Sequence, residues 1–155
     1  MEYQISALSD NEFSYLTGLD DKSLARHGAR RMQVDANPGF PCRLTLADAE
    51  IGESVLLVNY EHLSVDSPYR SAHAIFVREW AIQTNPGRNE VPEMLRHRMI
   101  SVRAFDSSGM MVDADIVDGR QLESMIDRML ATESVSYLHL HNAKRGCYAA
   151  RVDHA

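Results

Sequence analysis

The chain is poor in the features that announce the commonest specialised proteins. It has two cysteines in 155 residues, too few for a disulfide scaffold, and a domain of this length buries about two thirds of its unfolded surface without any staple. No apolar run approaches the ~20 residues needed to cross a bilayer. Residues 1–10 are polar and acidic where a signal peptide would be basic and then apolar. Positive charge is in deficit too: 16 Lys+Arg against 22 Asp+Glu leave a net charge of -6. The summed field repels phosphate backbones, and no basic stripe overrides it. Neither nucleic acid nor a membrane is expected as a partner, and a cytoplasmic location follows. Also lacking are low-complexity tracts and repeats. There is no Gly-rich phosphate loop, Gly-x-Ser-x-Gly elbow, Cys-x-x-Cys pair or His-Glu-x-x-His helix, so the best recognised catalytic devices are absent.

What is present alternates like a small α+β protein. Asp20 or Asp21 caps a short helix over 22–27, and Gly28 suits the left-handed residue that ends it. Residues 30–34 alternate as a strand. Asn37-Pro38-Gly39-Phe40-Pro41 is turn chemistry, delivering the chain into a strand over 42–46. There Cys42, Leu44 and Leu46 share an apolar face and Arg43 and Thr45 the other. Residues 54–60 and 74–78 are apolar on both faces, as central strands are. Residues 84–93 hold Asn85-Pro86-Gly87 and Pro92 and read as a long loop, suited to function or to disorder.

The clearest hairpin joins 98–105 to 110–117 through Ser107-Ser108-Gly109. Its expected register sets Ala104 against Val112, Val102 against Ala114 and Ile100 against Ile116, with Arg103 facing Asp113. Asp118 then caps a helix with Gln121 at the capping-box position, and Leu122, Met125, Ile126, Met129 and Leu130 form its buried stripe. Because strand, helix and strand follow in order, a right-handed crossover and a parallel pair are expected. The fold is read as α+β: one domain, residues 1–155, with a mixed, largely antiparallel sheet, two hairpins, a short N-terminal helix and one longer amphipathic crossover helix.

The residues that point to chemistry lie in a second hairpin, 137–151. Tyr137, His139 and His141 share one face of a strand. A five-residue loop over 142–146 would set His141 opposite Cys147, His139 opposite Ala149 and Tyr137 opposite Arg151. Two imidazoles and a thiolate suit a divalent metal such as zinc, with a fourth position open. The same trio also allows Cys147 to act as a nucleophile with His141 as its base, oriented by His139 or Asn142. A solvated face with no chemistry is the bland alternative, since polar alternation is ordinary in antiparallel pairs. In a reducing compartment Cys42 and Cys147 are free thiols or ligands sooner than a disulfide. Arg43, Arg70, Arg78 and Arg103 carry a fork that suits a carboxylate or phosphate. Arg43 and Arg70, with Asn142 and Cys42, are the candidate contacts for a small-molecule ligand. Acidic neighbours offer each arginine an ordinary ion pair instead.

Several stretches resemble an uncharacterised bacterial family, the domain of unknown function 1203. They are Pro38-Gly39-Phe40-Pro41-Cys42-Arg43, Leu46-x-Asp48-Ala49-x-x-Gly52-Glu53, Ser67-Pro68-Tyr69-Arg70, Ile75-Phe76-Val77-Arg78 and His139-x-His141-Asn142-Ala143-x-x-Gly146-Cys147-Tyr148-Ala149. The resemblance runs from about residue 13 to residue 151. It brings no activity, and implies that both cysteine segments belong to one pattern, in a shared site or a packing role. Three functions are thus open: a small-molecule site at His139, His141 and Cys147, metal-dependent or thiol-based; binding of a small anion through arginines; or a structural, homo-oligomer-forming protein in which the histidine face meets another subunit.

Overall fold

A computed structural model describes all 155 residues. The elements in chain order are β1 (Tyr3–Ser6), α1 (Asp21–Arg26), β2 (Arg30–Gln33), β3 (Pro41–Cys42), β4 (Ala47–Asp48), β5 (Ser54–Leu63), β6 (Ser71–Arg78), α2 (Glu93–Arg96), β7 (Met99–Phe105), β8 (Met111–Asp118), α3 (Leu122–Leu130), β9 (Tyr137–Asn142) and β10 (Tyr148–His154). The class is α+β with mostly antiparallel sheets. No helix is long and apolar enough to cross a membrane.

The strands form two five-stranded sheets where one was expected. The first has the order β1-β10-β9-β7-β8 and the second β2-β5-β6-β3-β4. One face of the first sheet, carrying Ile100, Val102, Leu138, Leu140 and Val152, packs on the α3 residues Leu122, Ile126, Met129 and Leu130 in the largest apolar core. A second core joins Leu56, Val58, Ile75 and Val77 of the other sheet to Phe13, Leu16, Leu24 and Tyr148. Tyr148 therefore ties the helix-free face of the first sheet to the second.

Local signals act as expected at α1, whereas the capping box expected at α3 does not form, its N-cap Gln121 making no side-chain bond. Asp20 accepts from the Ser23 amide at 2.7 Å, and Gly28 follows the α1 C-cap with φ +68°. Asp118 caps a short 3-10 turn that leads into α3. The crossover differs from expectation. β8 and β9 run the same way in one sheet, but β7 lies between them, so they do not pair. The parallel pair that exists is β3 with β6, at Cys42 and Phe76. The strand expected over 42–46 ends at Cys42, where the chain turns into β4. Residues 81–92 lack helix and strand but are strapped to β1, with Asn85 and Asn89 accepting from the Ala7 and Tyr3 amides at 2.8 Å.

Both hairpin registers differ from expectation by a bulge. At β7–β8 the loop is the expected one, with Gly109 at φ +81°, and Phe105 meets Met111. The pairing then shifts, so that Ala104 faces Asp113 and Arg103 faces Ala114. β8 is an edge strand whose Val112 and Ile116 are exposed, so burial does not enforce its alternation. At β9–β10 the Asn142 amide donates to the Cys147 carbonyl at 2.9 Å, closing a four-residue loop. His141 therefore faces Tyr148, and a second shift sets His139 against Arg151 and Tyr137 against Asp153.

A candidate three-histidine centre

β9 is buried along its whole length because α3 covers one face and the second sheet approaches the other. Its polar face is not solvated: His139 is 3% exposed and His141 0%. The end of β5 crosses this face and brings His62 to the same place. The ring centroid of His62 lies 4.8 Å from that of His141 and 6.0 Å from that of His139. One ligand nitrogen from each of His62, His139 and His141 lies within 4.8 Å of the other two.

Hydrogen bonds orient two of the three rings. Nδ1 of His141 is 2.9 Å from the Gly146 carbonyl oxygen, which can only accept, so the proton sits on Nδ1 and the Nε2 lone pair is free. Nε2 of His62 meets the Ser71 hydroxyl at 3.3 Å, and Tyr148 stacks on the His62 ring at 5.6 Å with an interplanar angle of 9°. What remains is one buried nitrogen per ring with no partner: Nδ1 of His62, Nδ1 of His139 and Nε2 of His141. An unsatisfied buried polar atom costs about 1–3 kcal/mol. Three in one cluster therefore point to a ligand that completes them.

The electrostatics keep the rings neutral. Desolvation pushes His139 and His141 down to about 3 and His62 to about 4, and the Arg103 guanidinium adds to the depression of each. No carboxylate is among the groups that shift them. Neutral imidazoles are the form that binds metal. Tetrahedral bonds of 2.0–2.1 Å put ligand nitrogens about 3.3 Å apart, so from an upper bound of 4.8 Å the rings need to close by about 1.5 Å at most. His62, near the end of β5, is the partly exposed one of the three.

The other residues singled out from the sequence go elsewhere. Cys147 is bonded elsewhere, its Sγ accepting from Arg43 Nη2 at 3.0 Å and Asn142 Nδ2 at 3.4 Å, and His141 makes no bond to it. Arg43, expected on a polar face, is 0% exposed. Its other donors go to the Tyr148 carbonyl at 2.7 Å and to the Pro41 carbonyl. Burial pulls its pKa down, opposed by Cys147. Cys42 is buried, accepting from the Leu44 and Arg78 amides at 3.4 and 3.3 Å. Arg70 is exposed and paired with Glu61 at 2.6 Å. Arg103 lacks the Asp113 partner expected for it, because Asp113 pairs with Arg128 at 3.3 Å.

His62 is the member that sequence reasoning missed. Its signal was the continuation of the period-two pattern Val58, Tyr60, His62 beyond the apolar part of β5. A hollow of about 190 Å³ lined in part by Trp80 is a different place. Its charged walls Asp10, Arg78 and Glu79 are already held by the Gln83 amide, Glu53 and Arg31.

The model of a family described as a protein of unknown function, DUF1203, matches residues 39–154. The chain belongs to that family. All three histidines, Arg43, Arg103 and both cysteines lie inside the DUF1203 segment, whereas β1, α1 and β2 precede it. No curated protein and no solved structure matches this DUF1203 chain.

Proposed function

We propose that the protein carries a mononuclear divalent-metal centre held by His62, His139 and His141, and that it acts on or binds a small molecule at the position these ligands leave open. The observation that carries the reading is the convergence of three histidines from strands of two different sheets, each of which also has a buried ring nitrogen with no partner. Three imidazoles with a free fourth position are the donor set of a catalytic rather than a structural zinc site. When bound, such a metal polarises an oxygen or lowers the pKa of its water toward neutrality. The bond from His141 to the Gly146 carbonyl is the kind of outer contact that fixes the tautomer of a ligating histidine.

This assignment replaces Cys147 with His62. Cys147 is occupied by two donors and has no histidine base in contact, so a thiolate nucleophile paired with His141 has no geometric support. Two buried unpaired thiols suit a reducing compartment, and we read the protein as cytoplasmic. The test is metal uptake by untagged protein. Wild type and Cys147→Ala should each take up one equivalent of zinc with a rise in melting temperature, and His62→Ala should lose both effects. Equal uptake by His62→Ala and wild type would refute the assignment.

A further inference from the structure

We infer that Arg103 is the anion-recognising residue of the three-histidine centre, and that the small molecule bound there carries a carboxylate or phosphate group. The inference rests on the metal reading above and adds the chemical class of the ligand.

Arg103 sits on β7 directly opposite His139 on β9, and so projects from the same face as the histidines. Ser101, which accepts from its Nε, lies opposite His141, so the Arg103 side chain runs beside two of the histidines. Its only hydrogen bond runs from Nε to the Ser101 hydroxyl at 3.3 Å. The bulge in the β7–β8 pairing removed the aspartate that the regular register would have supplied.

The other arginines show how unusual this is. Those removed from bulk solvent hold carboxylates, as Arg31 with Glu79, Arg78 with Glu53 and Arg98 with Asp48 do. Arg151, across the sheet from His139, is bound to Asp153 at 2.7 Å and stacked on Tyr137 at 3.9 Å. Arg43 is fully buried and consumes its donors on carbonyls and Cys147. Arg103 alone is partly desolvated with both terminal amino groups uncommitted, and these are not among the sealed polar atoms. They remain open to a ligand.

Charge balance gives the second argument. A dication on three imidazoles beside a guanidinium, with no carboxylate bonded to any of the three rings, leaves a partly buried site strongly positive. Such a site is stabilised by an anion that takes the open metal position with one oxygen and the guanidinium fork with another.

The test uses the cobalt(II)-loaded full chain, whose visible absorption reports ligands at the metal. Inorganic phosphate and acetate are titrated separately, to tell which anion the fork prefers. Wild type should show a saturable spectral change. Arg103→Met should keep one equivalent of cobalt and bind the anion about tenfold or more weakly, as loss of a charge-assisted contact requires. Arg103→Lys should fall between the two, and Arg128→Met, on the helix side, should match wild type. If both Arg103 variants keep cobalt and bind the anions as tightly as wild type, or if neither anion perturbs wild-type cobalt, this inference fails while the metal centre stands. If wild type takes up no cobalt, the metal reading fails and the inference with it.

Discussion

Acidifying the metal-free protein should strip it of much of its stability in a window where most small domains are little affected. His139 and His141 titrate at about 3 and His62 at about 4 in the fold, because burial disfavours their charged forms, against about 6.5 in the unfolded chain. Between these values the unfolded state binds more protons, so stability rises with pH there and is level above about 6.5. From about pH 7 to about pH 5 each histidine should lose about 2 kcal/mol, close to 5 kcal/mol for the three after discounting the partly exposed His62. Against a total of about 5–15 kcal/mol, that brings the protein to the edge of unfolding. The lowered carboxylates, such as Asp106, Asp118 and Glu79, do not contribute at these values, because they and their unfolded counterparts titrate below them. Urea melts at the two pH values measure the effect, and a loss of about 5 kcal/mol moves the midpoint by roughly 2–3 M. The triple variant His62→Gln, His139→Gln, His141→Gln should show much less of it. Equal wild-type midpoints at both pH values would mean that the rings protonate in the folded protein, and would refute their description as buried neutral ligands.

Two further outcomes test the frame around the site. A Cβ at Gly119 would lie 1.9 Å from the Leu95 carbonyl oxygen and 2.9 Å from the Arg96 Cα, both backbone atoms, so Gly119→Ala should cost about 3 kcal/mol in chemical denaturation; a near-neutral variant would contradict the packing of α2 against the start of α3. Cys147 and Cys42 are 7% and 0% exposed, so neither should alkylate with iodoacetamide until the protein unfolds, as mass spectrometry would show; rapid labelling of Cys147 in the fold would revive thiol chemistry.

The parts of the molecule legible in the sequence are those fixed by neighbours along the chain. Asp20 and Gly28 bracket α1, the stripe from Leu122 to Leu130 lies on the core, and Ser107-Ser108-Gly109 makes the turn foreseen. The features that were not legible are those that depend on another layer of the fold. β8 has exposed apolar residues, so its alternation could not reveal the bulge that strips Arg103 of Asp113. The β9–β10 loop is one residue shorter than expected, and that single step exchanges Cys147 for Tyr148 beside His141. β1 was not foreseen because its four residues become a strand only by pairing with β10, at the far end of the chain. His139 and His141 were visible as a pair on one strand face. His62 was not, since nothing local joins β5 to β9, and only the packing of the two sheets sets its ring against theirs.

The most direct test of the centre is X-ray absorption at the zinc edge on untagged protein loaded with one equivalent of metal. The three-histidine assignment predicts nitrogen and oxygen neighbours near 2.0 Å, imidazole outer-shell scattering and no sulfur near 2.3 Å. A sulfur neighbour would return Cys147 to the ligand set, and failure to hold a stoichiometric metal would contradict the centre altogether.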